Sequence, residues 1–320
     1  MIWAKRLAAV VVAAGLIVAA VLVRSNVIDG DDGGSRSSGR EATALICLTE
    51  LKALCDAVAA AQPGVTVRIQ SAAATAAAWN TATEQPDAVW LTVGPFPELV
   101  EAERARRRLQ PLTITSTTVG ASQLVVAVPT GDKVAALAAA CGTTLRWACI
   151  GDAAGKPWSD LDSPAQGTVR PAFAPLNTAV GQLSVTQAIL GYFGDRPIDA
   201  GDPGFISWVR RSARAVPATS LSGGTPIATI QVRSSSLDVA VGFDAEIANA
   251  QRGQLSVLYA APMTRVDLVL AAPGGVNTSG RLADAVRTAA ATHGWGATAT
   301  GTVLTADQVA QAAQLWSELT

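Results

Sequence analysis

An α/β fold is predicted by the order of local patterns along the chain, by an apolar content near one half, and by an apolar N-terminal run set apart from the rest. TALIC (43–47) is a short buried-strand run, and LTELKALCDAVAAA (48–61) has helical spacing, with Thr49 placed as its N-cap. Gln62-Pro63-Gly64 breaks the chain before VTVRIQ (65–70), which alternates as a half-buried strand does. Ser71 opens a helix over 71–82. DAVWLTV (87–93) is the next strand, ended by Gly94-Pro95 before a helix rich in glutamate and arginine (97–109). Strand–helix–strand–helix–strand in this order requires parallel pairing through crossovers.

A second block starts with the apolar strand SQLVVAVP (122–129). Helix 131–140 ends at Cys141-Gly142, 145–161 leads through a loop, and 167–194 gives a strand, a loop and a long helix. WVRRSARAV (208–216) has helical spacing. TPIATIQVR (225–233), SLDVAVGF (236–243), SVLYAAP (256–262) and VDLVLAAP (266–273) are predicted strands, and helices over 279–292 and 305–319 finish the chain. There is no internal repeat.

Lys5 and Arg6 precede an unbroken apolar run from Leu7 to Val23, closed by Arg24. As a helix it is about 26 Å long, close to a hydrocarbon core of ~30 Å, with flanking residues able to snorkel. The preceding charges put the N-terminus in the cytoplasm and the rest outside. A cleaved signal peptide competes with an anchor, but no small-x-small site follows Val23 and no cysteine stands there to take a lipid; residues 1–24 are therefore expected to stay as cytoplasmic stub and transmembrane helix. Residues 25–40 (SNVIDGDDGGSRSSGR) form a flexible linker spanning about 20–24 Å. The expected location is the cell membrane, single-pass, with the C-terminal part extracytoplasmic.

The four cysteines agree with export. Four allow three connectivities, and the matched spacing makes Cys47–Cys55 and Cys141–Cys149 the economical choice, each closing a short loop worth about 2–3 kcal/mol. A zinc site lacks the CxxC spacing, and His293 is the only histidine. A net charge of −1 provides no field for nucleic acid. No phosphate loop or nucleophile elbow is present, so neither an enzyme nor a cofactor is expected. ERARRRL (103–109) is taken as a solvated face, and Trp90, Trp147 and Trp158 as core or loop anchors.

Three segments carry a family resemblance. PGVTVRIQSAAAT resembles the strand and serine-led helix start of molybdate-type binding proteins; APLNTAVGQLSVTQAILGYFG resembles the helix start in their second lobe; SSLDVAVGFDAEI with VLYAAP resembles their later strand pair. CGTTLRWACIGDAAGKPW looks like a variant of actinobacterial members. The resemblance, spanning about 43–320, is to the type II periplasmic solute-binding superfamily. It implies a bilobal fold after the N-terminal helix, with lobe one at 41–118 plus 220–320, lobe two at 119–219, and crossing strands near 114–119 and 215–220 that close on ligand by hinge motion. The chain departs from the molybdate-type pattern at Phe243, where those proteins offer a tyrosine hydroxyl.

The function implied is a membrane-anchored receptor holding a small oxyanion or polar solute between its lobes, partnered by a membrane transporter or another cell-surface protein. Helix N-termini supply free N–H groups for such a ligand, and a hydroxyl at the cap adds a donor. The expected ligand-binding residues are Thr49, Ser71, Ser122, Thr178, Ala179 and Gly181, with Thr92 a further candidate. Each hydroxyl is equally explained as an ordinary helix cap. The competing function is a ligand-free ectodomain of the same fold, acting as a cell-surface interaction or scaffold module. A receptor keeps its donors open in a cleft, whereas a scaffold fills the cleft with its own side chains.

Overall fold

The computed structural model describes residues 43–216, 221, 225–233, 236–248, 253–274, 276 and 280–320. The expected anchor (1–24), the linker (25–40) and residues 217–220 of the second crossing lie outside the described residues. Among the described residues no helix is long and apolar enough to cross a membrane.

The first half follows the predicted alternation. Strand β1 (Thr43–Leu48) runs into a single 3-10 turn (Thr49–Leu51) and helix α1 (Lys52–Ala61). Strand β2 (Val65–Gln70), helix α2 (Ala72–Thr81), strand β3 (Ala88–Val93) and helix α3 (Phe96–Arg106) come next. β1 pairs in parallel with both β2 and β3, as crossover connections demand. Every residue of β3 is buried, which explains its unbroken apolar run.

The long strand β4 (Thr115–Pro129) joins the two halves of the sheet. After it come α4 (Asp132–Cys141), β5 (Thr144–Arg146), α5 (Trp147–Ala153), β6 (Pro171–Ala172), α6 (Ala179–Phe193) and α7 (Pro203–Ala215). The remainder is α8 (Pro226–Val232), β7 (Val239–Phe243), α9 (Asp244–Ala248), β8 (Leu255–Ala261), β9 (Thr264–Ala272), α10 (Gly280–Thr292), β10 (Thr302–Val303) and α11 (Ala306–Leu319). β9 is inserted antiparallel between β3 and the first part of β4. The last residues of β4 pair instead with β7 and β8. Strand pairing thus returns the chain to the half of the sheet that holds β1 to β3 at the junction of β8 and β9, and 239–261 pair with the second half of β4.

Three predictions from local pattern need correction. Residues 226–232 are helix, not strand: Thr225 caps it, accepting from the Ala228 N–H at 3.2 Å, Pro226 occupies its first turn, and Ile227 and Ile230 share its buried face at i, i+3. The stretch 145–161 is not a plain loop, since it contains the end of β5, α5 and a 3-10 turn at Trp158–Leu161. Arg104 also leaves the solvated face expected of 103–109. It is 3% exposed and donates to the carbonyls of Gln110, Trp79 and Ala82 at 2.6–3.0 Å. Its neighbours Arg106 and Arg107 pair with Glu103 at the surface.

Both expected disulfides are present, Cys47–Cys55 and Cys141–Cys149. The first ties the end of β1 to α1 across the 3-10 turn, and the second ties α4 to α5. Trp90, Trp147 and Trp158 are fully buried anchors, as their sequence context predicts.

Candidate functional site

The turn after β1 points Glu50 at the start of α6. Its Oε1 accepts from the backbone N–H of Ala179 at 2.7 Å and of Val180 at 3.2 Å, across 129 and 130 residues of chain. These are the first residues of a 15-residue helix, whose leading N–H groups lack partners in the helix and form the positive end of its dipole. An anion bound to α6 would occupy that position, and the chain fills it with its own carboxylate. The loop that carries Glu50 is closed by the Cys47–Cys55 bridge, which limits how far the carboxylate can withdraw.

Thr178, 7% exposed, is the N-cap of α6. Its Oγ1 accepts from the Gly181 N–H at 3.1 Å and the hydroxyl donates to the Pro175 carbonyl at 2.7 Å. Gly181 is required for that approach, because a Cβ there would lie 2.2 Å from the Pro175 carbonyl oxygen. A second backbone tie crosses the junction, from the Ala73 N–H at the start of α2 to the Asn177 carbonyl at 3.2 Å. Below these bonds Ala179, Val180 and Leu183 pack into the same apolar core as β1, β3 and β9. The start of α6 is therefore seated on the first sheet by apolar contact as well as by hydrogen bonds.

The other expected ligand residues divide. Ser71 caps its own helix, accepting from the Ala74 N–H at 3.2 Å. Ser122 is not at a helix start; it lies inside β4, 5% exposed, and its Oγ accepts from the Ala245 N–H of α9 at 3.1 Å. Thr49 is a correction too: it is exposed and caps neither the 3-10 turn nor α1, whose flanking positions are Leu48 and Leu51. Thr178, Ala179 and Gly181 do share one place, and Glu50 is the residue the sequence patterns missed there. Phe243, in place of a tyrosine hydroxyl, is buried against Trp295. Five surface cavities of about 380 to 480 Å³ are lined by other segments, none of them by Thr49, Glu50, Ser71, Ser122 or Thr178.

A second carboxylate lies within reach of the Glu50 charge. Glu246 Oε1 accepts from the Phe243 N–H at 3.0 Å, and the Thr225 hydroxyl also bonds the carboxyl. Burial pushes Glu246 up to about 7, and the charge of Glu50 pushes the same way against those two hydrogen bonds. Burial raises Glu50 as well, opposed by the N–H groups of Glu50, Val180 and Ala179. Unfolded, both acids lose their protons near their ordinary value of 4.5. The folded chain thus holds more protons than the unfolded chain between that value and about 7. The stability that Glu246 contributes is full below about 4.5, falls through this window, and is lost above about 7. Melting temperature measured from pH 4.5 to 8 should decline through that window, and Glu246→Gln should flatten the decline; an unchanged profile in the variant contradicts the assignment.

Thr178→Ala removes one cap and is expected to cost about 1 kcal/mol, read from the denaturant midpoint at constant m. A loss well above that would mean the hydroxyl does more than cap.

No protein-family model matches this chain, and no curated protein matches it in sequence. Solved structures do match. A periplasmic thiamin-binding protein is 8% identical, with a TM-score of 0.54 over 89% of this chain and 98% of its own. The iron- and citrate-bound FutA of Trichodesmium is 9% identical, TM-score 0.47, over 87% and 98%. The OxyR2 regulatory domain from Vibrio vulnificus is 11% identical, TM-score 0.45, over 80% and 100%. At such identities the fold alone is shared: a mixed α/β fold of the type II periplasmic-binding-protein class.

Proposed function

We propose that the chain is an extracytoplasmic interaction module built on a solute-binding fold, in which the ligand position is permanently held by Glu50. It is not an enzyme and not a carrier of free oxyanions. The observation that carries this reading is the Glu50 carboxylate on the N–H groups of Ala179 and Val180. An incoming oxyanion would have to displace that carboxylate and then bind beside Glu246, unfavourable once both acids are ionised. The hydroxyls of Ser71, Ser122 and Thr178 already accept from backbone N–H groups. The run Leu7–Val23, with Lys5 and Arg6 before it, anchors the module to the membrane and leaves the disulfide-bearing part outside.

One observation favours a second reading. Glu50 Oε2 and Thr92 Oγ1 are buried without a hydrogen-bond partner among the described residues. The Thr92 hydroxyl can donate or accept, but an ionised carboxylate oxygen left over in this way suits a small cationic or amine ligand in place of an oxyanion. A thermal-shift screen of the full-length chain against oxyanions, amino acids, sugars and amines separates the two. Ligand at a hundredfold excess over its Kd adds about 2.7 kcal/mol of stability. The self-occupied junction predicts no shift with any class. A shift with an amine alone selects the second reading, and a shift with an oxyanion removes the first.

A further inference from the structure

The exposed side of α7 holds an arrangement that its stability does not explain. Arg210 and Arg214 stand at i, i+4 on this helix and are exposed. Among the described residues neither enters an ion pair; Arg210 only donates to the Leu319 carbonyl at 3.4 Å. The nearby Arg211 is by contrast neutralised by Asp152 at 2.6 Å. Like charges at this spacing cost a helix a few tenths of a kcal/mol, and a glutamate at 210 would turn the cost into a gain, whereas Arg214 in the last turn suits the negative end of the helix dipole. The opposite side of α7 is fully committed to the core through Phe205, Trp208 and Val209.

The two arginines form a ridge between two cavities. One, of about 380 Å³, has Phe173, Leu176, Val216 and Trp316 along it. The other, of about 390 Å³, lies over Pro203, Ile206 and Ser207. Both are lined by Arg210 and Arg214, and neither lining contains an aspartate or a glutamate. In a chain of net charge −1, a surface with unpaired cations, apolar walls and no acid side chain is a local feature. Guanidinium groups bond carboxylates in forked pairs, and arginine beside aromatic and aliphatic surface is the composition of a binding hot spot.

We propose that the Arg210/Arg214 ridge of α7, with the cavity over Phe173 and Trp316, is the docking site for an acidic segment of a partner protein that carries an apolar side chain. The segment lays its carboxylates on the ridge and its apolar residue between Leu176 and Val216. The proposal rests on the reading of the chain as an interaction module. The wall at 173–176 also leads directly into the Pro175 carbonyl that holds Thr178, so the partner would contact the strap at the start of α6.

The test pans short random peptides displayed on phage against the full-length chain, then measures the enriched peptides by fluorescence anisotropy. Acidic peptides bearing an apolar residue should be enriched. Arg210→Glu with Arg214→Glu should weaken them by about tenfold or more, and rising salt should weaken them too. Arg210→Gln with Arg214→Gln, which adds no new charge, should show the same direction with an unchanged melting temperature. Three results overturn the proposal: no acidic enrichment, affinity indifferent to both double variants, or arginine-dependent binding to phosphatidylserine vesicles with none to peptide. The solute screen is independent of these outcomes. A stabilising solute removes the self-occupied junction, whereas a failed peptide screen removes only this surface.

Discussion

Glu50→Ala is expected to destabilise the folded chain by about 3 kcal/mol, while Glu50→Gln stays within about 1 kcal/mol of wild type. The alanine leaves the part-buried Ala179 and Val180 N–H groups without an acceptor in the protein, and losing a charged acceptor from two such donors costs about 1–3 kcal/mol for each. Glutamine keeps an Oε1 acceptor in the same position, loses the charge, and puts an amide NH2 where the unpartnered Oε2 stood. Because burial already raises the Glu50 carboxyl, the neutral form is a good mimic of wild type at low pH. Denaturant midpoints of the three proteins decide it. Equal losses for alanine and glutamine would mean that charge, not the acceptor, is what α6 requires; no loss in either would mean the contact is idle.

The second large effect is expected at Gly181. Glycine to alanine inside a helix ordinarily gains about 1 kcal/mol. Here the added Cβ would stand 2.2 Å from the Pro175 carbonyl oxygen and 2.6 Å from that of Ala174, both backbone atoms that cannot rotate away. The first turn of α6 must shift, and the Thr178 bond to the Gly181 N–H and the Glu50 bonds beside it shift with it. The expected result is a loss of about 3 kcal/mol or more, seen as a lower melting temperature. Gly253→Ala, with no atom of the described residues beyond its chain neighbours within 4 Å of the added Cβ, serves as the neutral control. A neutral or stabilising Gly181→Ala would show that the strap over 174–178 is free to move.

What local pattern could and could not reveal follows from the kind of force involved. The first five elements, the caps at Ser71 and Thr178 and both cysteine pairs depend on residues close in sequence, so their spacing shows them. TPIATIQVR deceived because β-branched residues favour strands, while the Thr225-Pro226 start and the Ile227/Ile230 face decide for helix. Thr49 looked like a cap because the 3-10 turn that displaces the helix start to Lys52 has no separate signature. Ser122 answers to α9, 123 residues later. Glu50 is the clearest case. A glutamate between a strand and a helix has no distinguishing pattern, and its partners lie 129 and 130 residues away. Only the cysteines on either side mark its turn as constrained.

Amide hydrogen exchange at Ala179 and Val180, followed residue by residue in wild type and Glu50→Ala without added solute, tests the self-occupied junction most directly. Leading N–H groups of a helix have no helical acceptor, so their protection must come from elsewhere. The account predicts that both amides are protected in wild type and in Glu50→Gln, and that both exchange freely in Glu50→Ala while the interior of α6 stays protected. Free exchange of both amides in the wild-type chain would mean that Glu50 does not hold the site, and the cleft would be open to a ligand.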